Sequence, residues 1–186
     1  YIGESLAKFS QLYQSEYSAY LIRGSKWTYR YIFDILIYCL YLINHNEIFI
    51  VNFGRFFCAV LFSSSIFHLS KTLKLDLVYT LIAISVFMLM NQQLVGGDKL
   101  IGNGFNSAAI SYALNIFAIS FYLKGKNFIS ILMLIISTHV HFIIGGFWSA
   151  FIIISVYFND RDLRKFFNIS ASYIFLCSPI IYILIK

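Results

Sequence analysis

From about Trp27 onward, long apolar runs alternate with short polar or basic connections. The runs approach or exceed the roughly 18 residues that suffice to cross about 30 Å of hydrocarbon, so the pattern predicts an all-α, polytopic transmembrane helix bundle. The predicted segments are 27–43, 48–69, 75–95, 105–123, an uninterrupted stretch 128–158, and 168–185, which contains Pro179. Residues 1–26 are aromatic and polar, with Leu6, Phe9 and Tyr13 at helical spacing, and read as an interfacial helix. Residues 1–186 are expected to form one integral-membrane domain. Without an initiator Met, and with PIIYILIK stopping as a segment ends, they are expected to be a piece of a longer chain.

Charge complicates this simple alternation. Lys71 and Lys74, then Lys124 and Lys126, place two connections on the cytoplasmic side, with a hairpin between them whose glycine-rich tip lies outside. Arg161, Arg164 and Lys165 ask for the same side, which a single crossing by 128–158 forbids. As one helix those 31 residues would extend about 46 Å, so they are better divided into two half-length arms, with the break expected at Gly145–Gly146. One long tilted helix is the alternative.

Composition supports the membrane assignment, with 60% hydrophobic and 12% charged residues against roughly 25% charged in soluble domains. The net charge of +6 sits in short connections, where topology signals belong, and no nucleic-acid partner is expected. Cys39, Cys58 and Cys177 are isolated within apolar segments, which indicates neither a disulfide framework nor a zinc site. No cofactor is expected.

The candidate chemistry is sparse. In STHVHFIIGGFW, His139 and His141 are two apart and point about 200° away from each other on a helix, so they do not form a metal pair. His139 shares a face with Ile135, Phe142 and Ile143. His141 shares one with Ser137, Thr138, Gly145 and Trp148, a small and polar face that suits a cavity border, and is the better functional candidate. GGDKLIGNG lacks the Lys-hydroxyl pair of a phosphate loop, yet its backbone and Lys99 could approach an anionic phosphate at the start of the next helix. Ser107, Ser111 and Asn115 continue inward from it as a polar stripe, suited either to substrate contact or to helix–helix hydrogen bonding. Arg55 is an intramembrane charge in the outer half of its segment, with a functional and a snorkelling reading. Asp34 and Arg30 read as a local ion pair.

The order of NFGRFFCAVLF, a basic turn, a glycine-rich outer loop, GNGFNSAAISYALN and HFIIG resembles that of bacterial surface-polysaccharide proteins. These are the O-antigen and exopolysaccharide polymerases and related integral-membrane glycosyltransferases that use polyprenyl-linked sugars. Arg55, Gly102 to Ser107 and His141 to Gly145 carry the resemblance. It implies a multi-pass protein of the inner (plasma) membrane that transfers glycan from an undecaprenyl diphosphate carrier to an acceptor sugar, alongside other polysaccharide-assembly proteins. Arg55 would hold the diphosphate and His141 would accept the acceptor's proton. Lys99, Asn103, Asn106, Ser107 and Ser111 would contact substrate. Such glycosyltransferases usually carry a catalytic Asp or Glu in the first outer loop, a region here absent or reduced to residues 1–26. A flippase for lipid-linked sugars, a membrane O-acyltransferase and a structural subunit are the rival expectations.

Overall fold

The computed structural model describes residues 31–89 and 105–185, and among these every regular element is helical. The helices are α1 (Tyr31–Ile43), α2 (Glu47–Thr72), α3 (Leu77–Leu89), α4 (Ser107–Leu123), α5 (Asn127–Val140), α6 (Phe142–Asp160) and α7 (Leu163–Ile185). The expected interfacial helix, Arg30 and the whole glycine-rich loop 96–104, with Lys99 and Asn103, lie outside the described residues.

Local chemistry accounts for the boundaries. Asn46 accepts from the backbone N–H groups of Ile48 and Phe49 at 3.0 and 3.3 Å, Asp76 from Val78 at 2.9 Å, Asn106 from Ala108 at 2.9 Å, and Asp162 from Lys165 at 3.1 Å. Each satisfies donors that the first helical turn leaves open. After α2, α4 and α6 the chain turns through left-handed residues, Lys74, Gly125 and Arg161, at φ of 58°, 73° and 51°. Within α7, Pro179 cannot donate to the Phe175 carbonyl; the Ser178 hydroxyl donates to it instead at 2.7 Å, so the helix continues.

Hydrogen bonds between helices set the register. Cys58 approaches the Asn106 carbonyl at 3.9 Å and Thr72 meets Ser120 at 2.6 Å, both pairs 48 positions apart, so α2 and α4 run parallel. Ser111 meets Ser137 at 2.6 Å and Ser130 donates to the Ala118 carbonyl at 2.8 Å, so α4 and α5 run antiparallel. α6 folds back along α5, with Gly145 against Thr138 and Ile152 in the cluster of Leu134 and Ala118. Lys71, Lys74, Lys124, Lys126, Arg161, Arg164 and Lys165 therefore lie at one end of the bundle.

The antiparallel pairing bears out the division of 128–158, but its position and proportions differ from expectation. The break is at His141, extended at φ −151° and ψ 101°, and the arms have 14 and 19 residues. Both glycines are inside α6. A Cβ on Gly145 would lie 2.3 Å from the Thr138 backbone nitrogen, whereas one on Gly146 would meet nothing within 4 Å. Gly145 thus serves close helix packing, which small residues permit, and breaks nothing.

The interior mixes apolar and small polar side chains: Phe33, Phe62, Phe105, Leu134 and Ile180 are buried, and Ser65, Ser107, Ser111, Ser120, Ser137 and Ser149 are all at 0% exposure. Large apolar side chains face outward, among them Phe56, Tyr79, Phe128, Phe147 and Phe175. Exposed apolar surface on this scale needs an apolar environment, and buried hydroxyls are a means of joining helices where no hydrophobic force does so.

Candidate functional site

The register brings part of the expected site to one level. One turn before Ser111 is Ser107, and one turn after Ser137 is His141, so the tip of the α5–α6 hairpin stands beside the start of α4. Through the contact of Cys58 with Asn106, that level falls near the middle of α2. Arg55 is about one turn nearer the α2 N-terminus and is exposed. Gly54, beside it, allows α2 to lie directly on Phe105, where a Cβ would approach the ring carbon at 2.2 Å. Phe105 also packs on Phe33 of α1, centroid to centroid 4.8 Å, in a cluster with Ile50 and Val140.

Two helix N-termini, those of α4 and α6, meet at this level beside the C-terminus of α5. Each N-terminus carries about half a positive elementary charge from its aligned peptide dipoles and first-turn N–H groups. His141 caps α6, its Nδ1 accepting from the Ile144 N–H at 3.4 Å. That polarity assigns the proton of a neutral ring to Nε2, making Nε2 a donor. The proton-accepting role expected for His141 requires the opposite tautomer, whereas donation to an anionic oxygen fits the ring as it stands.

Asn106 and Ser111 have structural tasks. Asn106 caps α4, and Ser111 and Ser137 bond reciprocally at the α4–α5 contact. The polar stripe therefore serves helix–helix bonding at Ser111. Ser107 and Asn115, on the same stripe, are buried with side-chain polar atoms that have no hydrogen-bond partner among the described residues. His139 is buried and its Nε2 donates to the Leu176 carbonyl at 3.0 Å, which ties α5 to α7. Thr138 adds a second tie, donating to the Leu134 carbonyl at 2.8 Å and accepting from the Tyr173 hydroxyl at 2.6 Å.

One polar cluster has no counterpart in the sequence reading. At the basic end, Lys124 Nζ lies 3.0 Å from His68 Nε2, His68 Nδ1 is 2.7 Å from the Ser120 hydroxyl, and Ser120 contacts Thr72. An ammonium only donates, so Nε2 accepts and Nδ1 carries the proton toward Ser120. His68 consequently cannot deprotonate Ser120, and the cluster is a structural link between α2 and α4. Its signal was present as two i, i+4 pairs, His68 with Thr72 and Ser120 with Lys124.

Among the described residues no group of His, Cys, Asp and Glu could hold a metal ion. Cys39, Cys58 and Cys177 are unpaired thiols. No family model, curated protein or solved structure matches the chain. The class that the fold itself defines is an all-helical protein. Two of its helices, Ile48–Thr72 and Phe142–Asp160, are long and apolar enough to cross a membrane.

Proposed function

We propose that the chain is a multi-pass glycosyltransferase of the polysaccharide-polymerase type in the bacterial inner membrane. In this reading it transfers a glycan from an undecaprenyl diphosphate carrier to an acceptor sugar at the outer membrane face. The observation that supports it most directly is the meeting of the α4 and α6 N-termini near the middle of α2, with Arg55 about one turn outward. Converging helix N-termini at mid-depth suit an anionic group, and broken backbone there suits a cavity border. The apolar exterior and the single basic end favour the membrane placement, with α5 and the facing part of α6 as a hairpin entering from the basic side. α5, at about 21 Å, is shorter than the roughly 30 Å of hydrocarbon.

Glycosyl transfer breaks the bond from the sugar's anomeric carbon to the diphosphate oxygen and forms one to the acceptor hydroxyl oxygen, which loses its proton. Negative charge grows on the leaving diphosphate. Arg55 supplies a bidentate cation to it, and His141 Nε2–H with the α6 N-terminus supplies neutral donors. This makes His141 a stabiliser of the leaving group, and no residue is assigned the proton-accepting role.

The test compares Arg55→Ala and His141→Asn in the full-length protein, with expression matched and surface polysaccharide resolved by length on a gel. Asn is an effective N-cap, so His141→Asn keeps the helix start and removes Nε2. Loss of a charged hydrogen bond worth about 1.5–3 kcal/mol lowers transfer roughly ten- to hundred-fold, leaving single units without long chains. Unchanged ladders from both variants would overturn the proposal. Loss of single units as well would assign the chain to flipping.

A further inference from the structure

A second feature lies at the opposite, basic end of the molecule. Between α5 and α7 runs an open groove of about 530 Å³. Its mouth is lined by Asn127, Arg164, Lys165 and Asn168, while Ile131, Leu132, Ile135, Ile169 and Leu176 line its walls. The groove is thus amphipathic along its length.

The mouth offers one cation to an anion. Arg164 is exposed and has no carboxylate partner among the described residues. Lys165 pairs with Asp160, and Asp162, the carboxylate in the lining, accepts from the Lys165 backbone as the α7 cap. α5 begins at the same mouth, and no side chain caps it, so its positive end adds to the Arg164 charge. The walls exceed what a small anion needs. From Phe128 to Ile135 they follow two helical turns of apolar side chain, along which a hydrocarbon chain fits.

We infer that this groove is a binding site for an anionic membrane phospholipid. Its phosphate is held between Arg164 and the α5 N-terminus, and one acyl chain is laid along Ile131, Ile135 and Leu176. Basic pockets between membrane helices recognise acidic headgroups in this way. The inference rests on the membrane placement proposed above but not on glycosyl transfer, since the groove and His141 are at opposite ends of α5.

The test uses the full-length protein in neutral detergent, with spin-labelled phosphatidylglycerol as the probe and spin-labelled phosphatidylcholine as the comparison. Immobilised label reports binding, so no enzymatic activity is needed and a failed polymerase assay leaves the outcome intact. Arg164→Gln, which removes one charge, should weaken phosphatidylglycerol binding about five-fold. Ser172→Trp, at an exposed position in the groove wall, should also displace the lipid without touching the headgroup site. Lys71→Gln, at the same end on α2, should change nothing. Equal binding of phosphatidylcholine, an equal loss in Lys71→Gln, or full binding by Arg164→Gln would overturn the proposal. So would complete displacement by millimolar inorganic phosphate together with an inert Ser172→Trp, which would mark a site for free anions.

Discussion

Gly145 and Gly146 are adjacent in one helix, yet the packing predicts opposite responses to alanine. At Gly145 the new methyl would sit 2.3 and 2.4 Å from the Thr138 backbone nitrogen and Cα, where ordinary contact begins near 3.4 Å. These are main-chain atoms in the last turn of α5 and cannot swing aside as a side-chain tip does, so α5 and α6 must separate by about 1 Å. Overpacking of this kind costs about 1–3 kcal/mol, with rigid backbone at the upper end. Replacing a helical glycine returns about 1 kcal/mol, leaving Gly145→Ala destabilised by about 2 kcal/mol. Gly146→Ala meets no atom within 4 Å and keeps only the gain, about 1 kcal/mol. The two variants should then differ by about 3 kcal/mol, which at roughly 2–4 °C per kcal/mol separates their melting temperatures by about 6–12 °C. Differential scanning fluorimetry in one detergent, on matched preparations, measures the gap. Equal melting temperatures, or Gly145→Ala above Gly146→Ala, would refute the close approach of α5 and α6 on which the hairpin rests.

Other consequences are open to direct measurement. A double-mutant cycle of Ser111→Ala and Ser137→Ala should give a coupling of about 0.6–1.7 kcal/mol, and a value of zero would remove the α4–α5 register. Asn115→Leu should raise stability by about 1–3 kcal/mol, because it replaces a buried amide that lacks partners with an apolar side chain of similar size; a drop in melting temperature would contradict that. In a chain whose native cysteines are replaced by Ala, Lys126→Cys and Asn159→Cys should react with a membrane-impermeant maleimide from one side of the membrane and His45→Cys from the other. Labelling of positions 126 and 159 from opposite sides would restore the single long helix.

Length and charge together revealed that 128–158 is folded back, because both are properties that a linear count can read. They could not locate the turn, and the glycines drew it four residues too far along. A glycine lowers helix stability by about 1 kcal/mol, but the same missing Cβ permits helices to touch, and which effect prevails depends on what faces it. Gly145 faces the α5 backbone, a contact that exists only after folding. The local signal for the turn was His141, a side chain able to accept from the N–H three residues on, and histidine is not among the preferred caps. Register was illegible for the same reason: Ser111 has equivalent chemistry to Ser107 one turn earlier, and only the partner at Ser137 makes one bonded and leaves the other without a bond.

That division also bears on the expected site. Of the residues that the sequence offers for an anion, Asn106 starts α4, Ser111 holds α5 against it and His141 caps α6. At that level stand the exposed Arg55, His141 and the N-termini of α4 and α6, beside the C-terminus of α5. In the transfer proposed above, Arg55 and His141 meet the leaving diphosphate and not the acceptor's proton, so replacing His141 should slow transfer without shifting the pH at which the acceptor hydroxyl becomes reactive. A pH–rate profile that loses its acidic limb in His141→Asn would reverse the assignment and return the base role to His141.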